Sequence, residues 1–179
     1  MGNVSQMDDQ QLWDGIRRKD ASAFDVLYQS YSASLLSFLR RLLGNHQAAE
    51  DVKQETFASI WQHPNGFNPG KGTLRSYVFG AGRKRAMEWW RRQKPLGNFG
   101  TEPVEGCKTE TQSMIGNAFD KLPVEQRTIL WLREVEGQSY SELAHILGIP
   151  EGTVRSRLFA ARKALRRIWH DARNIEEGS

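Results

Sequence analysis

Residues 139–169, SYSELAHILGIPEGTVRSRLFAARKALRRIW, decide the fold of the C-terminal part of the chain. Apolar residues recur at three- and four-residue steps on both sides of a break at Gly148, Ile149 and Pro150, which predicts two helices joined by a tight turn. Ala144 is small enough to let the helices cross closely, and Val154 is placed to fill the angle between them. The stretch therefore predicts a helix-turn-helix.

The second helix of this motif has two different faces. At about 100° per residue, one stripe is apolar and should face the core: Val154, Leu158, Ala161, Leu165, Ile168 and Trp169. The opposite face is basic and carries one aromatic ring: Arg155, Ser156, Phe159, Arg162, Lys163 and Arg166. Arginine binds guanine edges or phosphates, and an apolar ring contacts a thymine methyl. A solvated basic helix is the alternative, but a helix-turn-helix in front of this face favours DNA binding.

The rest of the chain is also helical in pattern, without an alternating strand or an internal repeat. We expect a first helix at about 8–18, with three apolar residues inward: Leu12, Trp13 and Ile16. Asp20 should cap a long second helix that ends at Gly44. Its expected inner residues are Phe24, Leu27, Tyr28, Tyr31, Leu35, Phe38, Leu39 and Leu42. A third helix should cover 47–62, a Gly- and Pro-rich loop 63–72, and a fourth helix, capped by Thr73, should end near 93.

The composition changes at Pro95. Residues 95–112, PLGNFGTEPVEGCKTETQ, contain little to bury and more acidic than basic side chains. This composition is typical of a flexible linker. Helical patterning resumes near 113. The sequence therefore predicts an all-α protein with two small helical modules, 8–94 and 113–173, joined by the linker.

The third helix has an exposed acidic side. Glu50, Asp51, Gln54 and Glu55 should face outward, with Trp61 at the border of the inner face. Such a strip repels DNA and suits a basic protein partner. On the pattern alone, a solvated helix face is the more common explanation.

The fourth helix is basic. Between 71 and 94, eight Lys and Arg residues stand against Glu88 alone. Its inner stripe should contain Leu74, Tyr77, Val78 and Ala81, which makes Trp90 a more exposed ring than Trp89. Basic residues interleaved with an exposed aromatic ring suit phosphates and unstacked bases. The cations surround the helix, so some of them should pair with acids of the protein itself.

Composition excludes several classes of function. The 179 residues carry 25 Lys and Arg against 21 Asp and Glu, and Cys107 is the single cysteine. One cysteine and four scattered histidines leave no metal-ligand cluster, and we expect no cofactor or small-molecule substrate. The segment GFNPGKGT lacks the spacing of a phosphate loop. No apolar run approaches a membrane span of ~18 residues, and the first residues are polar, so we expect an intracellular, cytoplasmic protein.

Three segments together resemble the extracytoplasmic-function (ECF) group of bacterial RNA polymerase sigma factors. AEDVKQETFASIW (49–61) is similar to the segment that docks on the polymerase clamp, and residues 67–95 are similar to the segment that melts and recognises the −10 element. Residues 122–167 resemble the −35-binding domain, with the core GTVRSRL intact. The resemblance extends from about residue 24 to 167. It implies a non-catalytic initiation subunit with core RNA polymerase and promoter DNA as partners, and an anti-sigma protein as a further partner.

The resemblance also assigns roles to residues. It implies that the polymerase-binding residues are Asp51, Gln54, Glu55 and Trp61. The residues expected near the −10 element are Lys71, Arg75, Arg83, Lys84, Trp90, Arg91 and Arg92, and the basic face of the second helix-turn-helix helix is expected at the −35 element. Three positions depart from the family pattern: Lys84 replaces an asparagine, Glu88 an aspartate, and Ala160 a frequent arginine. The −10 and −35 sequences therefore cannot be transferred from relatives.

A free-standing helix-turn-helix regulator with a helical sensing or dimerisation domain is the alternative. It accounts for residues 113–170, but not for the acidic third helix, the basic fourth helix or the linker. A regulator of this kind should dimerise, whereas a sigma factor should act as one copy per polymerase.

Overall fold

The computed structural model describes residues 8–93, 118–119 and 121–177, apart from the side chains of residues 172 and 174–177. Every regular element in these ranges is helical, which confirms the all-α prediction. The helices with described bounds are α1 (Asp9–Arg17), α2 (Ala21–Leu43), α3 (His46–Gln62), α4 (Leu74–Gln93), α5 (Val124–Glu134), α6 (Tyr140–Leu147) and α7 (Glu151–Glu177), with a 3-10 turn at Pro69–Lys71. The predicted linker and Cys107 lie outside the described residues. None of the described helices has the length and apolar content that crossing a bilayer requires.

The helix ends follow the local sequence signals. The Asp20 carboxylate accepts a hydrogen bond from the Ser22 backbone N–H at 2.9 Å and caps α2. Gly44 ends α2 with φ of 65°, in the left-handed region that favours glycine. Thr73 caps α4, because its hydroxyl accepts from the Ser76 backbone N–H at 3.2 Å. These three predicted helix ends are confirmed.

Helices α1–α4, the N-terminal bundle, pack around α2. Trp13 is fully buried, with the rings of Phe67 and Tyr77 each 5.2 Å from its own. Leu12 and Ile16 are buried as predicted. Tyr28, which we expected to face inward, is 38% exposed, because it lies at the edge of the bundle beside Phe57.

The helices α5–α7 form the C-terminal bundle. Ser139 begins α6 with a capping box: its hydroxyl accepts from the Glu142 backbone N–H, and the Glu142 carboxylate accepts from the Ser139 backbone N–H. Gly148 ends α6 with φ of 65°. At the start of α7 the predicted inner stripe is fully buried: Val154, Leu158 and Ala161. Its later members, Leu165, Ile168 and Trp169, are half-buried, because the 27-residue α7 is far longer than the helices beside it.

The two bundles lie directly against each other. Helix α4 packs on α6, and α2 packs on α5. At the centre of the contact, Phe79 lies 5.5 Å from Phe38 and 6.4 Å from Trp131, measured between ring centroids. Phe79 is fully buried, although the predicted inner stripe of α4 omitted it. The reason is that α4 has two buried faces, one toward its own bundle and one toward the C-terminal bundle.

Candidate nucleic-acid interface

The basic face predicted on α7 is exposed. Four of its polar members are open to solvent: Arg155, Ser156, Lys163 and Arg166. Phe159 is 70% exposed in their midst, which is the highest exposure of any large hydrophobic side chain among the described residues. Exposing an apolar ring to water has no stabilising effect on the fold. The ring is therefore available to a ligand that presents an apolar group inside an anionic surface, as the thymine methyl does in DNA.

Two arginines of this face have partners inside the protein. Arg155 pairs with Glu151 at 3.0 Å and lies over the Tyr140 ring. Arg162 donates two hydrogen bonds to Glu134, and these bonds raise its pKa. Arg162 is consequently half-buried rather than fully open. Exposed ion pairs contribute only ~0.2–1 kcal/mol, so a phosphate can displace either carboxylate.

The predicted −10 residues on and before α4 fall into two groups. Lys71, Lys84, Arg91 and Arg92 are exposed. Arg75 and Arg83 instead face the C-terminal bundle: Arg75 forms an ion pair with Glu136, and burial lowers the pKa of Arg83, which the charge of Glu125 raises only in part. Another cation, Arg85, pairs with Glu55 of α3 at 3.7 Å. Some cations of α4 therefore pair with acids of the protein itself, as expected for a helix with cations on all sides. The predicted −10 residues are divided between an exposed group and a group that faces the C-terminal bundle.

The two tryptophans of α4 differ from the prediction. Trp90 was expected to be clearly more exposed than Trp89. Both are half-buried, and their rings meet edge to face at 5.6 Å. Because the two rings pack on each other near the end of α4, neither is fully open and neither is fully enclosed.

The acidic strip of α3 is exposed as predicted. Asp51, Gln54 and Glu55 are open to solvent, while Glu50 is drawn into an ion pair with Lys53 at 2.6 Å. Trp61 is half-buried and lies about three turns further along the helix from Asp51. The strip and Trp61 thus share one side of α3.

Lys19 is a residue of this surface that the sequence analysis missed. Its ammonium group donates hydrogen bonds to the backbone carbonyls of Trp61 and Gln62 and lies 5.1 Å from the centre of the Trp61 ring. A cation at the last carbonyls of α3 is favoured by the helix dipole. Lys19 has a φ of 63°, unusual for a residue other than glycine. No local signal pointed to this role, because Lys19 and Trp61 are 42 positions apart.

Among residues 8–93, 118–119 and 121–177, no three His, Cys, Asp or Glu side chains are grouped so that they could hold a metal ion. Most of the predicted site residues lie on the exposed faces of α3, α4 and α7.

Comparison with known proteins identifies the family of the two bundles. The sigma-70 region 2 family matches residues 27–95, and the sigma-70 region 4 family matches residues 112–165. The RNA polymerase sigma-H factor of Pseudomonas aeruginosa is 29% identical, with 90% of this chain and 94% of the relative covered. The ECF RNA polymerase sigma factor SigL of Mycobacterium tuberculosis is 30% identical, with 85% of this chain and 92% of the relative covered.

Two solved structures share the fold. The sigma factor RpoE of Bartonella quintana, in complex with the anti-sigma factor NepR, has a TM-score of 0.65 at 24% identity, with 81% of this chain and 95% of the other covered. CnrH, in complex with the cytosolic domain of CnrY, has a TM-score of 0.68 at 20% identity, with 91% and 97% covered. From the family matches and the 30% identity over nearly all of SigL, the chain belongs to the ECF RNA polymerase sigma factors.

Proposed function

We propose that the chain directs core RNA polymerase to promoters through three separate surfaces. The acidic strip of α3, with Trp61, binds the polymerase. The loop before α4 and the basic residues of α4 hold and open the −10 element, and the exposed face of α7 contacts the −35 element. The corresponding domains are residues 8–94 and 113–173, joined by the linker 95–112. The chain acts in the cytoplasm as a non-catalytic subunit without a cofactor.

The observation that carries this proposal is the exposure of Phe159 at 70% between four exposed polar residues of α7. Within a helix-turn-helix, this is the helix whose outer side enters the major groove. Phosphates and guanine edges would bind Arg155, Lys163 and Arg166, and the ring of Phe159 would contact a thymine methyl. Ala160 is exposed on the same helix and offers no hydrogen bond, so fewer base contacts are available there.

The acidic strip supports a protein partner rather than DNA. Asp51 and Glu55 are exposed carboxylates, and DNA phosphates would be repelled by them. A basic surface on core polymerase complements this charge. The exposed basic groups of α4 and α7, together with the exposed ring of Phe159, also suit an anti-sigma protein, the kind of partner seen in the complex of the Bartonella relative.

Stoichiometry with core polymerase tests this function. The full chain, mixed with bacterial core polymerase, should elute with it as one copy per enzyme. An Asp51→Lys variant should elute separately, while Asp25→Lys, which reverses another exposed carboxylate on α2, should still elute with the enzyme. A chain that elutes as a dimer and never with the polymerase would favour the free-standing regulator instead.

A further inference from the structure

Helix α1 contacts the segment that leads into α4 with a single face. Asp9, Trp13 and Arg17 follow one another at four-residue steps, so their side chains lie on one side of the helix. Trp13 meets the ring of Phe67, and the Arg17 guanidinium donates to the Phe67 backbone carbonyl at 3.4 Å. Asp9 reaches the other end of the segment, where its carboxylate accepts from the Leu74 backbone N–H at 2.9 Å. Helix α1 therefore holds the segment at both ends.

Phe67 is the inner anchor of the loop before α4. Among residues 63–72, all of which the structure describes, it is the one buried side chain, at 3% exposed. The hydrogen bonds from the Gly70 and Lys71 backbone N–H groups to Asn68 are local and shape the 3-10 turn. The position of the loop on the bundle therefore depends on the anchors at its two ends.

The bond to Asp9 supplies an acceptor that the start of α4 lacks in its own sequence. Helix α4 carries no acidic residue in its first turn, and the Thr73 hydroxyl accepts from the Ser76 backbone N–H. Leu74 is fully buried, so water does not replace the carboxylate at its N–H. A carboxylate at the beginning of a helix is also favoured by the helix dipole. Asp9, 65 positions earlier in the chain, therefore completes the cap of α4.

The two anchors enclose a side chain that the proposed function places at the −10 element. Lys71 is exposed between Phe67 and Leu74, and only residues 68–73 separate these anchors. A short segment with both ends fixed has few conformations, so it loses little conformational entropy when a DNA strand binds. Releasing one end lowers the fraction of molecules in which the segment is correctly placed, and the apparent affinity falls by that fraction.

We propose that Asp9 is a positioning residue for the −10 element: it caps α4 from α1 and thereby fixes residues 67–74, which meet the DNA strand. The proposal rests on the proposed function, since that function places Lys71 and α4 at the −10 element. Asp9 is half-buried and acidic, so it acts through this segment and not by binding phosphate. Simple electrostatics would let the loss of an acid strengthen DNA binding, whereas positioning requires that the loss of Asp9 weakens it.

Asp9→Ala tests this role, with Asp20→Ala as its matched control. The Asp20 carboxylate also accepts a backbone N–H at 2.9 Å, and it caps α2 of the same bundle. Both variants lose one negative charge and one helix cap, so a difference between them reports on the segment before α4. Hydrogen exchange of the backbone amides of residues 67–77 in the full chain measures how firmly the segment is held. Binding of a labelled single-stranded oligonucleotide, with the −10 sequence selected by the chain, to the complex with core polymerase measures recognition.

The amides of residues 67–77 should exchange faster in Asp9→Ala than in Asp20→Ala, and the oligonucleotide should bind about three- to tenfold more weakly. Binding of a −35 duplex should be equal in the two variants. Asp9→Asn keeps an oxygen acceptor but not the charge, and it should restore oligonucleotide binding close to that of the wild type. An Asp9→Asn chain that binds as weakly as Asp9→Ala would overturn positioning and attribute the effect to charge.

Equal exchange and equal affinities in the two alanine variants would overturn the proposal, and continued transcription by both would leave the promoter function intact. Faster exchange in Asp9→Ala with equal affinity would overturn it as well, because the segment would not limit −10 binding. A wild-type complex that binds no oligonucleotide and starts no transcription would refute the promoter function itself, and the −10 role of Asp9 with it. If Asp9→Ala does not fold, Asp9→Ser, whose hydroxyl is one bond shorter than the carboxylate oxygen, should show both losses.

Discussion

The Thr73 hydroxyl lies 2.6 Å from the Glu142 carboxylate, and each of these residues caps a helix of a different bundle. Thr73 accepts the Ser76 backbone N–H at the start of α4, and Glu142 completes the capping box of α6. One hydrogen bond therefore joins the N-terminal ends of the two helices. A change at Glu142 should affect both the start of α6 and the contact between the bundles.

The pKa of Glu142 predicts that the free energy of unfolding depends on pH. Burial alone would raise the pKa of its carboxyl, but hydrogen bonds from Thr73 and Ser139 outweigh burial, so the pKa is lowered from its ordinary 4.5. A lowered pKa contributes stability above the ordinary value, and that contribution is lost as the pH falls through the folded-state pKa. The free energy of unfolding of the wild type should therefore fall toward that of Glu142→Gln over the window in which the pH drops from about 4.5 through the lowered pKa. Chemical denaturation of both proteins measures this, and a constant difference over the window would contradict it.

Replacing Arg155 should affect transcription only from promoters that contain the −35 element. Arg155→Ala should weaken −35-dependent transcription by ~1–3 kcal/mol, because the side chain is exposed on the face proposed to contact bases. Run-off transcription from matched promoters with and without the −35 element measures the loss. An equal loss on both promoters would show that Arg155 contacts no base.

Substitutions at Phe159 and at its neighbour Leu158 should have different effects: the first should weaken DNA binding, and the second should lower stability. Phe159 is 70% exposed and Leu158 is 1% exposed. Phe159→Ala should change the free energy of unfolding by less than ~0.5 kcal/mol and weaken −35 duplex binding. Leu158→Ala should cost ~2–5 kcal/mol of stability by leaving a cavity. Thermal unfolding combined with duplex binding distinguishes the two, and a stability loss in Phe159→Ala would place its ring in the core.

The close approach of α2 and α4 makes a further stability prediction. A Cβ atom at Gly82 would lie 2.7 Å from Cδ1 of the fully buried Leu35. Gly82→Ala should therefore lower the free energy of unfolding by ~1–3 kcal/mol through overpacking. Gly152→Ala is the control, since a Cβ there meets nothing within 4 Å. An equally stable Gly82→Ala would mean that the shift of Leu35 costs no more than the ~0.5–1 kcal/mol that alanine gains over glycine inside a helix.

Local signals predicted much of this fold. Asp20, Gly44, Thr73 and Gly148 each end or begin a helix through their own backbone or side chain, so a few neighbouring residues are sufficient to locate them. The buried start of α7 followed from helical periodicity in the same way. The exposure of Asp51 and of Phe159 was also predictable, because each lies opposite an apolar stripe of its own helix.

The contact between the bundles could not be predicted in this way. The burial of Phe79 depends on Trp131, and the pairing of Arg75 depends on Glu136, 61 residues away. Periodicity within α4 identifies one inner stripe and contains no information about a second helix layer. The half-buried Trp89 and Trp90 and the role of Lys19 likewise depend on distant or mutual packing.

Run-off transcription from a library of randomised promoters, with the purified chain and bacterial core polymerase, tests the central claim most directly. Transcripts should appear only when both proteins are present, and their promoters should share two separated elements, which would also show the sequence preferences that accompany Lys84 and Ala160. Duplex DNA binding by the chain alone, with no transcripts from the mixture, would contradict a promoter-recognition subunit.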